Sequence, residues 1–246
     1  MTLEGKVAIV FGATGAIGSE TAKQLAALGA DIHLVDREQA RERGEALIRS
    51  LPGRHGFSGL EITDSAALEA LRDRLADDPR GIAVLINAAG FTHSIPHADL
   101  DALTDEIIDS MMQTNWRAQF STIRTMAPLL RKSGDAVVVS LSSIAAFTGI
   151  GSNIAYCAAK AGIDVMTKAL ARVLAPEVRV LAVSPGVVDT SFVPGRGADF
   201  SAKVAANTPL GRVASAEEVA RAIIACCTHL TYSTGHIVQV DGGRAL

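Results

Sequence analysis

Tyr156 and Lys160 stand four residues apart in the stretch NIAYCAAKAG, in a chain that holds only two tyrosines. On a helix that spacing puts both side chains on one face. A tyrosine titrates near pH ~10, too high to take a proton at neutral pH. An ammonium ~4 Å away, at an effective dielectric of ~20, favours phenolate by ~4 kcal/mol, worth up to ~3 pKa units. The pair therefore has the makings of a proton shuttle whose charge is supplied by its own helix. A lysine stem lying over a surface ring is the bland reading of the same spacing. Three serines precede the pair, at 140, 142 and 143; strand alternation puts Ser143 on the opposite face from Ser142, with the hydroxyl that could hold a reacting oxygen.

Side chains so placed need a scaffold, and the chain alternates the elements of one. Short β-branched runs recur at 6–11, 31–36, 81–87, 135–142, 178–184 and 236–240, with a weaker one at 55–62. They are apolar rather than alternating, as strands covered on both faces must be. Between them lie stretches rich in Ala, Leu, Glu and Arg at 16–29, 38–50, 64–77, 99–131, 154–175 and 215–228. This order predicts an α/β fold: one Rossmann-type, doubly wound parallel sheet of about seven strands with helices on both faces. One domain over 1–246 is expected, with residues 190–212, rich in Gly and Pro, as a substrate lid.

Composition narrows the class of partner. A net charge of −3 without a basic run argues against nucleic acid, and no apolar stretch reaches the roughly 18 residues of a membrane helix. Cys157, Cys226 and Cys227 are odd in number and spaced for neither disulfides nor zinc, and no metal site is expected. Pro96 argues against a helical pairing of His93 and His97. The amino terminus has no signal-peptide pattern, so the cytoplasm is the expected location.

The first strand and helix are joined by GATGAIG. Gly12 permits a tight turn, Gly15 lets the backbone approach a pyrophosphate, and Gly18 lets the helix pack on the sheet. The helix N-terminus then offers N–H groups to phosphates, making Gly12, Thr14, Gly15, Ala16, Ile17 and Gly18 candidate cofactor contacts. Asp36 ends the second strand, where a carboxylate can accept both adenosine ribose hydroxyls and repel a 2′-phosphate. Arg37 beside it could pair with that phosphate. NAD is the expected cofactor, with NADP as the alternative.

These motifs occur in the order and spacing of a known family. The chain resembles the single-domain short-chain dehydrogenase/reductases of about 250 residues over essentially its whole length. GATGAIG, EITD at 61–64, NAAG at 87–90, TNWRAQF, LSSIAAF, Tyr156-x-x-x-Lys160, SPGVVDT at 184–190 and STGHIVQVDGG at 233–243 carry the resemblance. Three positions depart from the family pattern: Phe11 and Ala16 replace the usual Thr and Gly, and an alanine fits at the helix start only with negative φ. Glu61 replaces the usual Asp, so the backbone of Ile62 is left to contact the adenine.

The resemblance implies hydride transfer between a nicotinamide cofactor and a secondary alcohol or ketone. Tyr156 is then the acid/base, Lys160 its electrostatic partner and a ribose ligand, Ser143 the group holding the reacting oxygen, and Asn115 the anchor of a water that relays the proton. Asn87, Ala88, Ala89 and Gly90, with Pro185, Gly186, Val188 and Thr190, become further cofactor contacts, Thr190 and the Val188 backbone at the carboxamide. Phe91, His93, Ile95, Ala145, Phe147, Phe192, Val193, Pro194, Arg196 and Phe200 outline a moderately apolar substrate pocket. Two alternatives stay open: a 3-oxoacyl-(acyl carrier protein) reductase, against which Asp36 and Glu177 argue, and a catalytically silent NAD-binding sensor or scaffold. The family's habit of two-fold assembly predicts a homotetramer through the last helix and strand.

Overall fold

The computed structural model describes residues 1–190, 192–194 and 199–246. Seven strands form one sheet in the order β3-β2-β1-β4-β5-β6-β7, every neighbouring pair parallel. They are β1 Val7–Phe11, β2 Asp31–Asp36, β3 His55–Gly59, β4 Val84–Asn87, β5 Ala136–Leu141, β6 Val178–Pro185 and β7 Ile237–Val240. Strands β1, β4 and β5 are buried at every position and apolar at all but Asn87 and Ser140, because both faces are covered. In β1, Val7, Ile9 and Phe11 enter one core while Ala8 and Val10 enter the other, the two-residue alternation of a pleated strand.

Helices α1 (Ala16–Ala27) and α9 (Ala216–Thr228) pack one face through Leu25 and Ile223, with α2 (Arg41–Ser50) beside them. On the other face lie α3 (Ser65–Leu75), α5 (Ala118–Ser133) and α7 (Ile154–Leu174), contributing Leu68, Ile123 and Ile163. The strand order reverses between β1 and β4, and ligands of such sheets bind outside the carboxyl ends at that point. Register aligns Phe11 with Asn87 and Asn87 with Ser140, so the segments that follow these strands share one rim.

The helix expected over 99–131 is broken. It consists of α4 (Asp105–Met112), a π-helical turn Gln113–Arg117, and α5, while 99–104 lies outside it. The extra residue of a π turn offsets the face presented by the following helix. The strand expected over 55–62 stops at Gly59, and the residues 38–50 begin as a 3₁₀ turn, Glu38–Ala40. A four-residue helix, α6 (Ala145–Thr148), was not foreseen, and the 190–212 segment contains α8 (Phe200–Ala206) rather than loop alone. Arg196 lies outside the described residues. Among those described, no helix is long and apolar enough to cross a membrane.

Candidate active site

The glycine turn is sterically closed. A Cβ on Gly18 would lie 2.1 Å from the Gly12 carbonyl oxygen, and one on Gly12, at φ +76°, would lie 2.5 Å from the Ala89 nitrogen. Glycine is therefore demanded at both by the protein's own packing. At Gly15 the nearest atom to such a Cβ is 3.4 Å away, an ordinary contact, so only an approaching ligand would require glycine there. Ala16 begins α1, and no non-glycine residue among those described has positive φ, so its methyl costs nothing. The first-turn N–H groups have no intrahelical acceptor, Gly15 supplies no side-chain cap, and no acidic side chain stands in the first turn. An anion fits there.

Asp36 is tied down. Its Oδ2 accepts from the Thr14 backbone N–H at 2.9 Å and the Thr14 hydroxyl at 2.7 Å, and its Oδ1 accepts from the Arg37 N–H at 2.8 Å. Thr14, expected as a phosphate contact, spends both donors on this carboxylate. Arg37 is exposed at the same corner. Glu61 is also exposed, whereas the Ile62 side chain is buried in the core, leaving only its backbone for a ligand.

The NAAG segment follows β4, and its first residue turns inward. The Asn87 amide accepts from the Thr122 hydroxyl at 2.8 Å and donates to the Gln119 carbonyl at 3.4 Å and Ser140 Oγ at 3.5 Å. The Asn87 side chain thus braces β4 against α5 and β5, which leaves its main chain, with Ala88, Ala89 and Gly90, to line the rim. A Cβ on Gly90 would meet Asn115 Oδ1 at 2.6 Å. Asn115 sits in the π turn, fully buried, with Oδ1 accepting from the Phe91 N–H at 3.1 Å and Nδ2 donating to the Phe91 and Met111 carbonyls at 3.0 and 3.1 Å. Its side chain is committed to backbone; any water it anchors must use its main chain.

The three serines separate cleanly. Ser140 and Ser142 are buried, the second donating to the Lys160 carbonyl at 3.3 Å. Ser143 is half-buried just past the end of β5, its Oγ accepting the Ala145 N–H at 3.2 Å. Strand β5 ends at Leu141, so the distinction comes from the turn beyond it and not from strand alternation.

Helix α7 starts at Ile154 with Asn153 as its cap and carries Tyr156 and Lys160 on one face. Lys160 is buried, Nζ donating to the Leu141 carbonyl at 2.6 Å and lying 5.6 Å from the centre of the Tyr156 ring. Burial pushes its pKa down to about 8, against the opposing pull of Asp164. A surface lysine draped on a ring would not be buried, so that bland reading does not describe this pair. An ammonium this close to the ring favours a negative charge on Tyr156. Phe192 lies tilted against the same ring, centroid to centroid 6.1 Å.

β6 ends at Pro185, whose carbonyl accepts from the Ile144 N–H at 3.0 Å, and Gly186 donates to the Val240 carbonyl at 3.0 Å. Val188 bridges to Ala214, and Thr190 Oγ1 accepts from the Phe192 N–H at 3.4 Å. These residues lie on the rim that holds Ser143. His93 stacks edge-on against Phe91 at 5.5 Å, and His97 Nε2 lies 3.2 Å from the Gly151 carbonyl; they are not paired with each other. Cys157, Cys226 and Cys227 are buried, with burial pushing all three thiols up, Cys226 to about 11. None is poised as a nucleophile.

One residue of this site went unread in the sequence. Asn153, 1% exposed, accepts the Tyr156 N–H at 2.8 Å and donates to the His93 carbonyl at 2.8 Å. An asparagine three residues before the tyrosine at a helix start was a capping signal in plain view; its reach to His93 was not.

A glycine-cradled helix end, an acidic strand end and a tyrosine over a buried lysine share one sheet rim, a layout suited to an oxidoreductase. The comparisons agree with that geometry. A protein-family model described as Enoyl-(Acyl carrier protein) reductase matches residues 12–245. A granaticin polyketide synthase protein of Streptomyces violaceoruber, named as ketoacyl reductase 2, is 35% identical over 99% of this chain and 97% of its own. The 3-oxoacyl-(acyl-carrier-protein) reductase FabG of Thermotoga maritima is 30% identical over all of both chains. The solved structure of a short-chain dehydrogenase/reductase from Brucella melitensis superposes with a TM-score of 0.91 at 29% identity, covering 99% of this chain and 98% of that one. The chain belongs to the short-chain dehydrogenase/reductase family.

Proposed function

We propose that the protein transfers hydride between NAD and a secondary alcohol or ketone, with Tyr156 as the proton shuttle. The observation that carries this reading is the buried Lys160 ammonium beneath the Tyr156 ring, on the rim where the glycine cradle and Ser143 meet. The bound nicotinamide supplies or accepts the hydride. In alcohol oxidation Tyr156 takes the hydroxyl proton at its phenol oxygen; in ketone reduction it returns that proton to the carbonyl oxygen. Lys160 stabilises the phenolate form, and Ser143 holds the reacting oxygen by a hydrogen bond. The phosphates belong to the first-turn N–H groups of α1, the adenosine ribose to Asp36 and the nicotinamide ribose to Lys160.

NAD is favoured because Asp36 is held by three hydrogen bonds and cannot swing aside to admit a 2′-phosphate without breaking them. The test is initial-rate measurement with NADH and NADPH against cyclohexanone, 2-octanone and ethyl acetoacetate, and with NAD against the matching alcohols. NADH binding without turnover on any of them, in either direction, would move the chain to the silent-sensor reading.

A second reading has its own support: the names of the Streptomyces and Thermotoga relatives are those of ketoacyl reductases. It would make the substrate a 3-oxoacyl thioester on a carrier protein. Against it stand the fixed Asp36 and the exposed, acidic Glu177 just beyond α7, at a place where an acidic carrier would be repelled. Reduction of an acetoacetyl thioester much faster on its carrier protein than on a small thiol, with NADPH preferred, would establish it.

A further inference from the structure

The segment after NAAG, residues 91–97, is an irregular loop held along its length by side chains and backbone from elsewhere. Asn115 takes both the N–H and the carbonyl of Phe91. The Ile95 N–H donates to the Ser152 carbonyl at 2.9 Å, and the Thr92 and Ser152 hydroxyls are hydrogen-bonded. Between these, the Asn153 amide donates to the His93 carbonyl at 2.8 Å, with Thr92 Oγ1 at 3.4 Å and Met111 Sδ at 3.5 Å on the same nitrogen. Its oxygen, at 2.8 Å, caps the N–H of Tyr156 itself. One buried amide therefore joins the backbone of the acid/base residue to the backbone of His93, in a loop that carries Phe91, His93 and Ile95. An N-cap needs only an oxygen, and serine, threonine or aspartate would serve. The amide nitrogen is the part that capping does not explain.

We propose that Asn153 is a positioning residue that fixes the 91–97 loop relative to Tyr156, and that this loop is the wall selecting the substrate's apolar portion. The proposal rests on the reading of Tyr156 as the acid/base. A ketone must place its carbonyl at Tyr156 and Ser143 while its carbon frame rests against a wall; the amide sets the distance between the two. Without the nitrogen the His93 carbonyl loses a buried donor and the loop gains alternatives.

Asn153→Ser keeps a capping oxygen and removes the nitrogen, whereas Asn153→Ala removes both. Asn153→Asp keeps the cap and turns an acceptor toward the His93 carbonyl. Amide hydrogen exchange in the cofactor-free protein reads the loop without any substrate. Ser and Asp should raise exchange in 91–97 by about tenfold or more while leaving Tyr156 to Lys160 protected, and Ala should raise both. With the ketone of the panel that the wild type reduces fastest, Asn153→Ser should raise KM by about tenfold and lower kcat less. Unchanged exchange in 91–97 for the Ser variant, or an equal rise along α7, would reduce Asn153 to a helix cap and overturn the proposal. So would a loosened loop with KM unmoved. Loss of turnover in Tyr156→Phe tests the acid/base reading separately, so the two failures are distinguishable.

Discussion

Replacing Lys160 with methionine separates what the lysine does for chemistry from what its burial costs the fold. Methionine keeps an unbranched stem of similar length and removes the ammonium. In the folded protein burial holds the lysine near pKa 8, against an ordinary 10.5. At pH 7 both the folded and the unfolded chain carry the charge, and burying it costs about 3 kcal/mol. As pH rises through 8 the folded protein sheds the proton while the unfolded chain keeps it until about 10.5, so the penalty shrinks to about 1 kcal/mol at pH 10. Opposing this, the buried Leu141 carbonyl loses its 2.6 Å donor in the variant, a cost of ~1–3 kcal/mol that does not depend on pH. The two contributions nearly cancel at pH 7, so the variant should be as stable as the wild type or up to about 2 kcal/mol more so. The decisive quantity is the pH slope. Urea unfolding of both cofactor-free proteins at pH 7, 8.5 and 10 should show the difference moving toward the wild type by about 2 kcal/mol. A difference that stays flat over that range would mean that Lys160 keeps an ordinary pKa, and the argument that burial penalises its charge would be refuted. Turnover in the variant should be lost at every pH.

Tyr156→Phe keeps the ring against Phe192 but removes the proton carrier, so kcat should fall by at least ~10²-fold with NADH fluorescence titration nearly unchanged; retention of a tenth of the activity would refute the role. Wild type should prefer NAD over NADP by at least about tenfold in kcat/KM, worth ~1.4 kcal/mol, and Asp36→Ala should narrow the gap with Arg37 exposed beside it; an NADP-preferring wild type would hand the site to Arg37. His33, which lies 2.9 Å from Ser58 Oγ and is pushed down to about 4 by burial and then by Arg74, should cost stability on acidification. The unfolded chain takes that proton first, so about 3 kcal/mol is lost as pH falls from 6.5 to 4, and His33→Gln should flatten the midpoint of urea unfolding over that window. The chain should assemble as a homotetramer covering the open edge of β7, and a light-scattering mass near one chain at micromolar concentration would rule this out.

What the sequence determined by itself was whatever local periodicity carries. The strand runs, mostly apolar and without alternation, reported a sheet covered on both faces, because a strand buried on two sides has few polar positions to spare. The four-residue interval from Tyr156 to Lys160 and the three-residue spacing of Gly12, Gly15 and Gly18 are fixed by the pitch of one helix and the geometry of one turn. Tertiary structure decided the partners of polar groups. That Thr14 is spent on Asp36 depends on two strands brought side by side across 22 residues of chain, and that Asn87 is spent on Thr122 and Lys160 on the Leu141 carbonyl depends on helices packed against strands across 35 and 19 residues. The π turn at Asn115 escaped a periodicity reading because its cause lies outside the helix: the Asn115 amide is drawn to both backbone groups of Phe91. Asn153 shows both halves in one residue. Its oxygen could be read from its place before a helix, since a cap is a local need; its nitrogen answers a carbonyl 60 residues away, which only the folded chain brings within reach.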